Sequence, residues 1–407
     1  MKNIRLTMLC ALGMLLFPSI SANAQNELTF DHYLHKVGKQ NLEYMANRLN
    51  VKIADAEVVA AKVLPDPTVD FEAARDNFTL GLSYTLELGK RPARVKAAKS
   101  ARDLEQLALE GSFQDIRAKS AELFLDAILQ KELLRVKKES YSYMGQISIS
   151  DSLRFAKGEI AENDARQTKL ESISLLNEVY EQEALYQSAL VELNQFMGVD
   201  SDSLLTPIGN WESLRRDFLL PTLLEEGRLN RPEILIASKN IEVNQKNYRL
   251  VRAERRPDID LSLSYERDWD HFLPQARLAA IGVSIPLSFS NLNKGAIKSA
   301  KLKTEHANIE LKEVELQVLS EIRQSWFAFE AQRKKVAQYR TGIMDESRKV
   351  MDGMAYKYKR GEATVLDVLV SQRTYNEVCQ DYLETMKGYV SSLVSLERAC
   401  GYWDIHF

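Results

Sequence analysis

The chain carries its own ground plan twice. A Lys-Gly or Arg-Gly step followed by a long helix-like run recurs with its landmarks 203 positions apart: Gly158 and Gly361, Asp164 and Asp367, Tyr186 and Tyr389, Leu190 and Leu393, Leu193 and Leu396, Gly198 and Gly401. Other landmarks pair at nearby offsets, Lys96 with Lys298, Gly81 with Gly282, Gly38 with Gly227 and Asn41 with Asn230. A register held over that distance implies a duplicated unit, each copy a mostly helical body with one β-hairpin. One hairpin cannot stand alone as a sheet in water, so each must pair with the other copy or with other chains.

The first 24 residues read as an export signal. Lys2 and Arg5 precede an apolar run from Leu6 to Phe17, and Ala22-Asn23-Ala24 supplies a small-residue cleavage box. Cys10 does not make a lipobox, because Leu9 stands where a small residue is required. Without Lys2 and Arg5, 52 basic residues face 57 acidic ones, a balance that gives no footing to nucleic-acid binding. Beyond the signal no apolar run approaches the ~20 residues of a spanning helix. Cys379 and Cys400 fall in one helical segment, ~31 Å apart at helical rise, too far to bridge, and read as small buried residues.

The first repeat covers 25–198, a linker 199–220, and the second repeat 221–407. Residues 30–63 read as a helix stopped by Pro65 and Pro67. Period-two alternation then marks a hairpin at about 67–88, with Val69, Phe71, Leu80, Leu82, Tyr84 and Leu86 on one face. A second hairpin, at about 257–287, sets Ile259, Leu261, Leu263, Tyr265, Ile281 and Val283 on one face. The opposite faces carry Asp70, Glu72, Glu87, Asp258, Asp260 and Glu266, expected to line a lumen. Runs of ~10 residues suit tilted strands crossing a bilayer. A water-soluble sheet with one wet face gives the same alternation, and the export signal with no further strands favours the barrel. Two hairpins are too few to close one, whereas three chains supply twelve strands, an even number within the observed range. The proline-free runs 95–153 and 297–359 are expected to be helices of ~85–95 Å, too long for an ordinary globular domain. Leu311, Val314, Val318, Ile322, Trp326, Phe329, Val336, Tyr339 and Ile343 trace a coiled-coil seam in the second. Each run turns near Gly158 or Gly361 and returns to Gly198 or Gly401.

This order resembles the TolC-like outer-membrane efflux proteins over essentially the whole mature chain. Leu86-Glu87-Leu88-Gly89-Lys90-Arg91-Pro92-Ala93-Arg94 and Ser284-Ile285-Pro286-Leu287-Ser288-Phe289-Ser290-Asn291-Leu292-Asn293-Lys294-Gly295 look like the CzcC-like branch serving heavy-metal resistance pumps. The resemblance implies a homotrimer, its twelve-stranded barrel continued by a twelve-helix periplasmic tunnel. It also implies a periplasmic adaptor and an inner-membrane pump of the resistance-nodulation-division type. By similarity, Tyr358 and Asp367 in Lys357-Tyr358-Lys359-Arg360-Gly361-Glu362-Ala363-Thr364-Val365-Leu366-Asp367 fall on gate positions, with Asn163 and Asp164 in the first repeat. Gly158-Glu159 and Gly361-Glu362 would dock the adaptor. A ring of three aspartates at a narrow mouth would concentrate cations; the same aspartates also suit helix caps, and both readings stand. The chain departs from the family in having Val370 where TolC has a second aspartate, and Ala363 where it has an arginine.

Nothing here points to an enzyme, a cofactor or a resident metal. His32 and His35 share a helix face, but no cysteine or carboxylate spacing completes a site. Trp269 and Phe272 are expected to anchor the barrel at the membrane interface. The expected function is passive conduction of heavy-metal cations from pump and adaptor to the exterior. A drug-efflux duct of the same architecture and a periplasmic coiled-coil adaptor are the alternatives.

Overall fold

The computed structural model describes residues 27–75, 77–200, 205–210, 214, 216–268, 277–286, 292–339 and 341–405. The expected export signal and the loop residues Trp269, His271 and Phe272 lie outside them. Each repeat opens with two helices, α1 (Phe30–Gln40) and α2 (Leu42–Ala60) in the first, α5 (Leu220–Asn230) and α6 (Pro232–Glu254) in the second. The single helix expected over 30–63 is therefore interrupted. Asn41 takes extended backbone (φ −60°, ψ 123°), its side chain accepting from the Tyr44 N–H at 2.8 Å and donating to the Phe196 carbonyl at 2.7 Å. In the second copy that place belongs to Arg231, not to Asn230. The proline after it disfavours helical backbone at Arg231, whose guanidinium donates to the Arg398 carbonyl and pairs with Glu233 and Glu321 at 2.6 and 2.8 Å.

The hairpins, β2 (Thr68–Ala73) with β3 (Asn77–Leu86) and β5 (Ile259–Asp268) with β6 (Arg277–Ser284), find each other within one chain. They form an antiparallel sheet ordered β2-β3-β5-β6, its central register running from Asn77 opposite Asp268 to Leu86 opposite Ile259. A two-residue parallel pair, β1 (Glu27–Leu28) with β4 (Thr206–Pro207), ties the start of the described chain to the linker.

Below the sheet runs α3 (Lys90–Ala156), 67 residues and ~100 Å long. It returns as α4 (Glu162–Met197), just as α9 (Val365–Cys400) returns in the second copy; both have 36 residues. The matching outward run differs from expectation. It is α7 (Lys294–Tyr339) followed by α8 (Ile343–Lys359), with Gly342 at φ +101°, outside the helical region, standing as the N-cap of the second. Gly158 and Gly361 both lie at φ +76°, and the next residue donates back across the helix end, Glu159 N–H to the Arg154 carbonyl and Glu362 N–H to the Lys357 carbonyl, each at 2.9 Å.

The main core sits at mid-height, where Phe30 and Tyr33 of α1 pack on Phe124 of α3 and the last turns of α9 bury Val390, Leu393, Leu396 and Ala399. Val318, Ile322, Phe329 and Val336 of the expected seam are buried in it. Cys379 and Cys400 are buried and free. No described helix is long and apolar enough to cross a membrane.

Glu397 is the costly member of this core. It is 2% exposed and accepts the Asp404 N–H at 2.8 Å. Burial pushes its carboxyl up to about 7, against the pull of that N–H and of Arg216 and Arg117. Folding therefore takes up a proton between the unfolded value of 4.5 and about 7, so this group's ionisation erodes stability as pH rises through that window and no further above it. Glu397→Gln is expected to flatten the pH dependence of the melting temperature across that interval. An unchanged slope would show that Glu397 does not titrate there.

Candidate functional site

At the end of the bundle away from the sheet, α3, α4, α8 and α9 meet around a second, smaller core of Met144, Ile147, Leu175, Val365, Val368 and Leu369. Tyr358 belongs to it, 6% exposed. Beside its phenol lies Asp151, 1% exposed, and Arg154 closes the group. The Arg154 guanidinium stands 5.4 Å from the Tyr358 ring centre, 3.7 Å from Asp151 and 3.6 Å from Glu159. Burial raises the Asp151 carboxyl above the usual range, opposed by Tyr358, Thr168 and Arg154 and reinforced by the nearby Asp164. The Tyr358 hydroxyl is raised by burial and then by Asp151. An acid and a phenol thus share one buried pocket where α3, α4 and α8 converge.

Sequence reasoning placed Tyr358, Asn163, Asp164 and Asp367 together. The structure brings Asp164, half-buried, and Tyr358 to the same acid, while Asn163 is exposed. Asp367 stands apart. Its carboxylate accepts the Thr364 N–H at 2.9 Å and the Thr364 hydroxyl at 2.7 Å, and its own N–H donates to that hydroxyl oxygen at 3.2 Å. This reciprocal cap on α9 holds the Asp367 carboxyl below the usual carboxylate range. Gly158, Glu159, Gly361 and Glu362 are all exposed at the two turns, Glu159 beside Arg154 and Glu362 paired with Arg360 at 3.1 Å. Asp151 itself was missed. Its signal was available: it stands four residues after Ile147 and seven after Met144, on the stripe that α3 buries.

At the other end, the strand register sorts side chains by face. Asp70, Glu72, Asp260 and Glu266 share one face with Thr79, Gly81, Ser83 and Ser262. Thr85 donates to Asp260 at 2.6 Å and Asn77 to Glu266 at 2.9 Å. Glu87 and Asp258, just beyond the strands, are not free carboxylates: Arg94 holds the first at 2.7 Å and Lys90 the second at 2.6 Å. The opposite face is apolar and open, with Ile281 84%, Val69 68% and Phe71 67% exposed. No described helix covers it. The edges β2 and β6 have no strand partner among the described residues.

The family described as Outer membrane efflux protein matches residues 223–402. Over 395 residues the chain is 24% identical to the cobalt-zinc-cadmium resistance protein CzcC of Cupriavidus metallidurans, covering 96% of this chain and 94% of that one. It is 22% identical to the outer membrane efflux protein BepC of Brucella suis, covering 83% of this chain and 78% of the other. The fold matches the outer membrane channel CmeC of Campylobacter jejuni with a TM-score of 0.74 at 16% identity, over 91% of this chain and 85% of that one.

Proposed function

We propose that this chain, which has the fold of the TolC-like outer-membrane efflux channels and matches their family through its second repeat, is the outer-membrane exit duct of a tripartite efflux system. One observation carries the reading: a four-stranded sheet with one bare apolar face, one polar face and two open edges adjoins a helix bundle whose longest member is ~100 Å. Exposed apolar area of this kind is stable against lipid and not against water. Three copies joined edge to edge, β6 of one to β2 of the next, give twelve strands and remove every edge. The polar face then lines the lumen, and Asp70, Glu72, Asp260 and Glu266 favour cations there. The helices form the periplasmic tunnel, and the turns at Gly158-Glu159 and Gly361-Glu362 face the adaptor and, through it, the inner-membrane pump. The duct conducts passively and performs no catalysis. Its likeness to a cobalt-zinc-cadmium resistance protein supports heavy-metal cations as cargo.

Detergent extraction followed by native mass measurement should give a trimer that forms cation-selective channels in planar bilayers; a freely soluble monomer overturns the duct. Deletion should sensitise cells to zinc, cobalt or cadmium, and sensitivity to dyes or antibiotics alone removes the metal cargo. In the same bilayers Asp367→Asn, which keeps the cap acceptor and removes the charge, should conduct like the parent chain, because Asp367 serves α9 as a cap. A loss of cation selectivity in Asp367→Asn would return Asp367 to the filter.

A further inference from the structure

Four helix ends adjoin the periplasmic end of the sheet, and their charge is one-sided. Residues 58–64, 90–99, 248–256 and 294–303 hold fourteen lysines and arginines against a single acid, Glu254. Three of these cations already have acidic partners: Lys90 and Arg94 pair with Asp258 and Glu87 on the lumen side of the sheet, and Lys301 pairs with Glu305. At 100° per residue, Lys96 and Lys99 project from the far side of α3, where both stand exposed. On α7, Lys298 and Lys303 flank exposed Leu302 in a shallow recess completed by Gly295, Ser299 and His306. None of these four lysines has an acidic partner within 4 Å among the described residues.

The placement runs against helix electrostatics. The α2, α4, α6, α8 and α9 helices each begin with acid in the first turn, as the helix dipole favours. The two longest, α3 and α7, begin with cations and have no acid there. At the start of α3 the chain's own Asp258 and Glu87 compensate, through Lys90 and Arg94, which leaves the four exposed lysines without an acidic partner among the described residues. The neighbouring surface points to what they meet: the bare apolar sheet face ends in exposed Leu86 and Leu88, with Val63 and Leu64 beside them, and the cations begin at once. Ten helical residues span ~15 Å, enough to cross the headgroup layer of ~5–8 Å that borders each side of the hydrocarbon.

We propose that Lys96, Lys99, Lys298 and Lys303 form a basic collar that binds the phosphates of anionic lipid headgroups in the periplasm-facing leaflet. The collar rests on the duct reading, since it needs the sheet in a bilayer. Each lysine held near an anionic surface strengthens binding about fivefold, with the aliphatic stems lying on the apolar border.

The test reconstitutes the full-length protein into nanodiscs of phosphatidylethanolamine with one-fifth phosphatidylglycerol and measures which lipids stay with it on gentle detergent extraction. The parent chain should retain phosphatidylglycerol several-fold above its share, and raised salt should weaken the excess. The quadruple Lys→Gln variant should lose the excess, while the quadruple Lys→Arg variant keeps it. A control with Lys334, Lys335, Lys357 and Lys359 changed to Gln should match the parent. An inserted trimer without enrichment, or equal loss in the control, overturns the collar alone. Loss of binding to soluble peptidoglycan fragments with lipid retention unchanged also overturns it. A chain that never enters the bilayer overturns the duct and the collar together.

Discussion

Gly198→Ala is expected to break the middle of the molecule, whereas Gly158→Ala leaves it standing. Both glycines hold left-handed backbone, at φ +80° and +76°, so each substitution costs about 1–2 kcal/mol from conformation alone. Their surroundings then separate them. Around Gly158 no atom lies within 4 Å of an added Cβ. At Gly198 that carbon would stand 2.2 Å from the Gln40 carbonyl oxygen and 2.9 Å from its carbon. These are backbone atoms at the α1–α2 break, fixed by the bond from Asn41 to the Phe196 carbonyl, so no rotamer change relieves the overlap. The helix end or the break must move, at a total cost of roughly 3–5 kcal/mol. Melting of the purified protein should fall by many degrees for Gly198→Ala and by only a few for Gly158→Ala. Equal losses would show that packing at the α1–α2 break is soft. Gly401→Ala, whose Cβ would lie 2.8 Å from the Asn230 oxygen, should side with Gly198→Ala.

Tyr358→Ala should leave the fold intact and unlock its far end. The ring is shared between the Met144–Ile147 stretch of α3 and the Val365–Leu369 turn of α9. Deleting it removes about 3–5 kcal/mol of packing from a small local core. Water then reaches Asp151, whose carboxyl ionises more readily once wetted. The charge so gained stands beside Asp164, and their repulsion drives the helix ends further apart. Single-channel conductance in planar bilayers should rise severalfold, and cells should become sensitive to large antibiotics excluded by a shut mouth. Tyr358→Phe keeps the packing and should lie close to the parent. Parent-like conductance in Tyr358→Ala would remove the tip core from gating.

The hairpins were legible because a strand's alternation is local: Phe71, Leu80 and Ile281 declare their face by spacing alone. Gly158 and Gly361 were legible for the same reason, since a turn between antiparallel helices needs left-handed backbone at one residue. The break at Asn41 was not. It depends on the Phe196 carbonyl, 155 positions away, and the equivalent break uses an arginine, a residue type without any capping tradition of its own. The joint at Gly342 is not legible either, because a proline-free run carries no local sign of a break and a single glycine at positive φ suffices for one. Asp151 is not legible as a site residue because it is hidden in the apolar stripe of α3, where spacing marks burial and a carboxylate has no local pattern of its own to mark it.

The two halves of the duplication are not mechanically alike. In the first, α3 runs from the sheet to the far tip as one unbroken shaft; in the second, the path is jointed at Gly342, with seventeen residues of α8 beyond the joint. A rigid shaft transmits a tilt along its whole length, while a jointed one swings only its lower segment. In the proposed duct, dilation of the mouth is therefore expected of the second-repeat legs, with the first-repeat legs as the frame they swing against.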